Sequence, residues 1–452
     1  MARTRPLVVG LIALLFSSSA WAGGMFLPFR GTRATGRAGA FTAGVDDASA
    51  LYQNPAGMTD IDDWSFLIDG ALILQRVGYD RVDSGGNPQP HVDGQMNVLP
   101  LPTIALTYKP RQIKGRFVTF GLGVWVPYLG VDSWPQNGPQ RYSNISINGS
   151  LLGVVELAAS FKLADWLSIG VGLENMILHF HSRVMLSACS ELNCAPEDPG
   201  FDALTQVDSD SAFTPSGVIG ATFRFNKIRA GINLQLPFFV RSSGTVATRL
   251  PTDPFFANSA VHGDSISVDF NLPLTLRAGL EYRITPRLRV ELDFDYEAWS
   301  MQQNFKITPH NVYISGVPGI GNYYLNTLTL VRGLNDTFGV NLGAEADVVK
   351  KRMGGIILRA GWALETSATP DATASVLTPD ALRNVISIGG GLVLGPVRLE
   401  WGYAHIFFAD RNVTNSRSLQ LNPLQPGLAV PVGNGRYTIA ADVLTAGLEA
   451  RF

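Results

Sequence analysis

Glu291, Asp293, Asp295 and Glu297 alternate along the chain, so an extended backbone carries all four carboxylates on one face. Paired carboxylates can do general acid and base work when burial separates their protonation. Cationic partners are available to them as well: Arg277, Arg283 and Arg289 lie on nearby positions, and Arg30, Arg33 and Arg37 stand in an N-terminal segment that also carries Asp46 and Asp47. Ion pairing is the expected use of these charges, and no catalytic residue is assigned. His179 and His181 share a face at i and i+2, but no third metal ligand is identifiable, so no metal site is expected. Cys189 and Cys194, the two cysteines of the chain, are candidates for a small disulfide loop in an oxidising compartment. Neither a G-x-S-x-G nucleophile motif nor a phosphate-binding glycine loop occurs, and no cofactor is implied.

The elements that must position these residues are strands. From Ser267 to Arg283, apolar side chains take every second place against Asp269, Asn271, Arg277 and Glu281, and a period of two sustained this long means a strand with one apolar and one polar face. After Ile284-Thr285-Pro286 the pattern resumes with Leu288, Val290, Leu292 and Phe294, which makes a hairpin. Read in this way, the chain yields fourteen strands near 64–79, 99–109, 116–127, 150–163, 166–186, 212–226, 228–245, 265–283, 287–306, 334–348, 353–367, 383–395, 396–410 and 436–452. Alternation alone leaves open whether the apolar face looks into a soluble core or out into lipid.

Context favours lipid. The 452 residues are 46% hydrophobic and 16% charged, and a net charge of −2 gives no footprint for nucleic acid. Arg3 and Arg5, an apolar run from Leu7 to Phe16 and Ala20-Trp21-Ala22 read as an export signal over residues 1–22. Beyond it no stretch approaches the ~18 apolar residues of a spanning helix, which leaves a closed barrel as the way to satisfy the backbone in a bilayer. Short turns alternate with long polar loops, and aromatic residues such as Tyr108, Trp166, Tyr282 and the terminal Phe452 stand near the turns. Both features belong to outer-membrane barrels with periplasmic turns and termini.

Residues 23–63 break the alternation. Gly36-Arg37-Ala38-Gly39-Ala40, Asp46-Asp47-Ala48 and Asn54-Pro55-Ala56-Gly57-Met58 just before the first strand resemble the start of the FadL family of outer-membrane long-chain fatty acid transporters, which includes carriers of aromatic hydrocarbons. The resemblance implies a hatch over residues 23–63 closing a barrel over 64–452, capture of a hydrophobic molecule among the outer loops, and sideways release through a kinked third strand. In that strand Thr119, Gly121, Gly123 and Trp125 share one face and Pro127 follows. Interior glycines and a proline fit a bend with the hatch packed against it. Trp125 and Trp134 are candidates for lining the route.

The expectation is a monomeric all-β barrel with a hatch, passing a hydrophobic small molecule into outer-membrane lipid without a cofactor. Two alternatives are a water-filled porin and a structural or adhesive barrel.

Overall fold

The structure, a computed structural model, describes residues 30–95, 100–110, 117–130, 132–189, 194–351, 354–377 and 379–452. The expected export signal, residues 23–29 of the expected hatch, most of the turn at 110–115 and Arg352 lie outside them.

Fourteen antiparallel strands close into a barrel. They are β1 Trp64–Arg81, β2 Pro100–Tyr108, β3 Val118–Gly130, β4 Ser150–Ala164, β5 Leu167–Ser187 and β6 Asp202–Phe225. Four strands in two pieces follow: β7 Ile228–Gln235 and Phe238–Arg249, β8 Ser265–Leu272 and Thr275–Thr285, β9 Leu288–Glu297 and Asn304–Pro309, β10 Leu328–Val331 and Thr337–Lys351. The last are β11 Gly354–Glu365, β12 Arg383–Leu394, β13 Val397–Phe408 and β14 Gly435–Arg451. Closure is made by β14 against β1, from Ser65↔Arg451 to Arg81↔Gly435.

Burial settles which face looks inward. Leu280 and Leu292 are 52% and 51% exposed on the outside, while Glu281 and Glu291 are 0% and 1% exposed in the lumen. An apolar outer surface over a charged interior is the arrangement of a barrel in lipid. At the end that carries the short turns, Trp64 stacks on Tyr108 at 4.1 Å between ring centres, and Trp166 lies 6.3 Å from Phe223. Half-exposed amphipathic rings at this height suit a membrane interface. No helix among the described residues is long and apolar enough to cross a membrane.

The strands differ from the sequence-based expectation where polar residues or prolines intervene. β6 begins at Asp202 and not near 212, because the segment carrying Asp208 and Asp210 pairs with His179–Ser187 of β5. Those acids hide the apolar alternation. Gln235, Thr275, Glu297 and Thr337 stand in one row across β7 to β10. Just beyond this row all four strands are interrupted, at Pro237, at Pro273, at the turn holding Trp299–Met301 and at residues 332–336. Proline supplies no ladder donor, and the fully buried Trp299 fills the wall there, its indole N–H donating to Glu297 at 2.6 Å.

The loop end carries a small three-stranded sheet of Ala260–His262, Tyr313–Val317 and Gly321–Tyr324. Cys189 and Cys194 are bonded there.

Candidate functional site

Residues 30–63 fill the lumen at the turn end as a hatch, folded as short helical turns at Thr32–Thr35, Ala50–Gln53 and Pro55–Asp60. Helices this short are marginal alone, so the hatch takes its shape from the wall. Asn54 is the first anchor. Its Nδ2 donates to Thr42 O at 3.0 Å and to Ala221 O of β6 at 3.2 Å, while its Oδ1 accepts from Ala56 N at 3.2 Å. Pro55 opens the 3-10 turn, where a missing N–H costs nothing. The wall makes room with glycine: a Cβ at Gly220 would fall 2.2 Å from Asn54 Oδ1, and one at Gly170 2.4 Å from the Pro55 carbonyl carbon.

The second anchor is ionic, and here the wall carboxylates find their use. Arg37 Nη2 donates to Glu291 Oε2 at 2.6 Å. Phe41 N and Thr42 N both donate to Asp293 Oδ2, at 3.0 and 2.9 Å, and Ala43 N donates to Glu291 Oε1 at 2.6 Å. Arg33 Nη1 reaches Asp46 at 2.7 Å and Asp47 at 2.5 Å. Arg289 binds Glu345 at 2.6 Å, Glu281 at 3.1 Å and the Gly44 carbonyl at 2.9 Å. Burial alone would raise the Asp46 carboxyl, yet Arg289 and Arg33 hold it well below the usual range. Arg277 sits higher, donating to Gln53 Oε1 at 3.2 Å and lying 3.9 Å from Asp295. Glu345, Arg359 and Glu400 extend the network along the wall. They stand on three strands, and although Glu345 alternates with Asp347 and Glu400 with Arg398, nothing local says that the three meet.

The third strand is where hatch and wall meet most tightly. A Cβ at Gly121 or at Gly123 would fall 2.3 Å from a Leu51 methyl, so the missing side chains are the seat of Leu51. The β2–β3 ladder runs from Tyr108↔Phe120 to Ile104↔Val124 and then breaks, although β2 stays paired to β1 as far as Pro100; beyond the break the same two sides meet again at the bridge Gln95↔Ser133. Above Val124, β3 keeps β4, with an irregularity between Trp125 and Tyr128 that contains Pro127. Among the described residues the wall is therefore parted where Pro100–Thr103 of β2 have no ladder partner on β3. Trp125 is fully buried there against Tyr52 of the hatch, ring centres 5.3 Å apart.

Above the hatch an apolar cavity is lined by Leu152, Phe180, Val207, Ile266, Phe270 and Phe305, and among the described residues the charged side chain in its lining is Arg332. Leu152, Val207, Ile266 and Phe270 belong to one contiguous apolar cluster with Trp125 and the hatch residues Leu51, Tyr52 and Met58. Trp134 is placed elsewhere, in a cluster with Val77, Tyr79 and Tyr437. Arg332 went unmarked in the sequence because it stands in a wall interruption outside any alternation.

His179 and His181 lie on the outer face, each with a ring nitrogen against an aspartate, Asp210 at 2.7 Å and Asp208 at 2.6 Å. No group of three metal-ligating side chains occurs among the described residues.

A closed barrel with a lipid-facing apolar band and a lumen plugged by its own N-terminal segment defines a transport protein of the outer membrane. The chain belongs to the outer membrane transport protein family (OMPP1/FadL/TodX), whose model matches residues 13–452. Members of this family are outer-membrane transporters of hydrophobic compounds and not enzymes.

A Pseudomonas aeruginosa FadL homologue shares the fold at a TM-score of 0.78 and 20% identity, covering 95% of this chain and 100% of its own. The P. putida toluene transporter TodX gives 0.62 at 15% identity, covering 96% and 99%. The Ralstonia pickettii toluene transporter TbuX gives 0.61 at 15%, covering 94% and 99%. No curated protein sequence matches the chain.

Proposed function

We propose that this barrel passes hydrophobic molecules, amphipathic acids such as long-chain fatty acids included, from its loop end into the outer membrane by release through the wall. The observation that carries the reading is the combination of a filled lumen with a parted wall. The hatch blocks the straight route, and the ladder between β2 and β3 stops at Val124. In this reading the loop end faces outward, the turns and both termini lie in the periplasm, and residues 1–22 are removed on export.

A molecule in the apolar cavity has contiguous apolar side chains from Phe270 to Trp125, beside the gap. Leaving water for such surroundings is worth about 25 cal/mol per Å² of apolar surface, so the transfer runs downhill without an energy source. Arg332, which also faces the buried Asp380, brings a guanidinium to the cavity lining, and a guanidinium suits a carboxylate at one end of the cargo. A general porin needs an open lumen, and the fully buried Arg37, Phe41 and Leu51 of the hatch argue against one.

The experiment is uptake by proteoliposomes paired with single-channel recording. The expected result is uptake of a long-chain fatty acid with little steady ion conduction. Steady conduction without uptake would establish a porin. Replacing Arg332 by Met should weaken the fatty acid about tenfold or more against an alkylbenzene, since hydrogen bonds to charged groups are worth about 1.5–3 kcal/mol.

A further inference from the structure

Release through the wall, on which this inference rests, requires that the charge of an acidic cargo be dealt with at the gap. At the edge of the parted wall, Gly123 of β3 pairs with Glu156 of β4, and Glu156 pairs with Glu174 of β5. Directly opposed residues on antiparallel strands have Cβ atoms about 5 Å apart, so two carboxyls share one small volume. Both face the lumen, 0% and 4% exposed. The Glu156 carboxyl lies over Gly172, where a Cβ would fall 2.2 Å from Oε1.

The cation facing both is Arg30 of the hatch. Gln235 of β7 links it to the pair, accepting from Arg30 Nη2 and donating to Glu174 Oε2, each at 3.4 Å. Asp295 and Tyr52 are further ionisable neighbours of Arg30. Neither oxygen of Glu156 has a hydrogen-bond partner among the described residues. The same is true of the buried indole nitrogen of Trp125, two residues along β3 from the glycine that faces Glu156. Buried polar atoms normally have partners, and two unlike groups lacking them at the mouth of a gap mark a place for a polar end of a ligand.

Two carboxyls against one guanidinium carry a surplus negative charge unless the pair keeps a proton, and burial makes an uncompensated charge costly. A fatty acid meets the same constraint at the gap: an ionised carboxylate enters hydrocarbon only at great cost, whereas the neutral acid does not face that barrier. We infer that Glu156 is the proton donor that neutralises the carboxylate of an amphipathic acid as it leaves between β2 and β3, with Glu174 and Arg30 as positioning residues. The Glu156 O–H bond breaks, an O–H bond forms on the ligand carboxylate, and the neutral acid moves into lipid. The Glu156 carboxylate then regains a proton from hydronium in the lumen.

The test compares a long-chain fatty acid with an alkylbenzene in proteoliposomes containing the full barrel. Glu156→Gln should lower fatty-acid uptake by about tenfold or more near pH 8, the scale of a lost general acid, and leave alkylbenzene uptake in place. Fatty-acid uptake by this variant should recover as external pH falls toward the cargo's own titration range. Glu156→Asp, which keeps an acid, should retain part of the uptake at pH 8. An equal loss of both cargoes, or a loss of neither, would overturn the proposal. Uptake of neither cargo by the unaltered barrel would overturn the release reading and this proposal with it.

Discussion

The hatch is held by a small number of buried charges whose partners lie on the wall, and each has a measurable consequence. Arg37 and Glu291 are both fully buried at 2.6 Å. Removing one member of a buried pair leaves the other uncompensated, at a cost of roughly 3–5 kcal/mol. Arg37→Met should therefore speed amide exchange at Phe41–Gly44 and raise the frequency of brief ion-conducting openings; exchange and conductance unchanged from the parent would show that the pair does not hold the hatch.

Glycine contacts give an ordering. At Gly361 a Cβ would meet the Arg37 carbonyl carbon at 2.3 Å, whereas at Gly121 it would meet the mobile end of Leu51 at the same distance. A side-chain end can swing aside and a backbone atom cannot, so Gly361→Ala should destabilise hatch seating more than Gly121→Ala. The opposite order in thermal unfolding of the two variants would contradict the packing described.

At the scale of elements, the loop over residues 366–382 carries a pH-dependent contact. Asp380 Oδ2 accepts from Ser367 Oγ and Ala368 N at 2.9 Å and from Thr369 N at 3.2 Å. Burial pushes its carboxyl up to about 7, against the opposing effect of Arg383 and these donors. A folded value above the unfolded one means that the folded loop holds the proton more tightly. Its contribution is greatest below the unfolded value near 4 and is lost as pH rises through about 7. After correction for intrinsic rates, the amides of Ala368 and Thr369 should exchange faster at pH 8 than at pH 6; slower exchange at pH 8 would reverse the sign.

The lower pieces of β8 and β9 are legible because Leu280 and Leu292 face lipid and alternate with charged neighbours, but above Pro273 the faces swap and Ile266, Val268, Phe270 and Leu272 are buried on the lumen side, which the unbroken apolar alternation of the sequence does not reveal. The interruptions beside Pro237 and Pro273 were written in the sequence but hidden by apolar residues on both sides. The wall carboxylates Glu291 and Asp293 could be assigned to pairing, but their bonds to the hatch amides of Phe41–Gly44 depend on which strand the hatch crosses, and no local pattern records that. Glu156 and Glu174 stand eighteen residues apart and become partners only through the β4–β5 register.

Taken whole, the barrel is closed by two devices and, among the described residues, parted beside β2. The strand circuit closes through β1 and β14, the hatch closes the lumen, and the wall parts between β2 and β3. In the proposed function, cargo leaves through that parting. Had the ladder continued beyond Ile104↔Val124, Thr103 would face Trp125. Cysteines at these two positions would therefore zip the wall when oxidised. The measurement is fatty-acid uptake by the Thr103→Cys/Trp125→Cys barrel before and after reduction, beside each single variant and the parent treated alike. Uptake blocked in the oxidised double variant and restored by reductant is the predicted result, and full uptake with the bond formed would contradict the account.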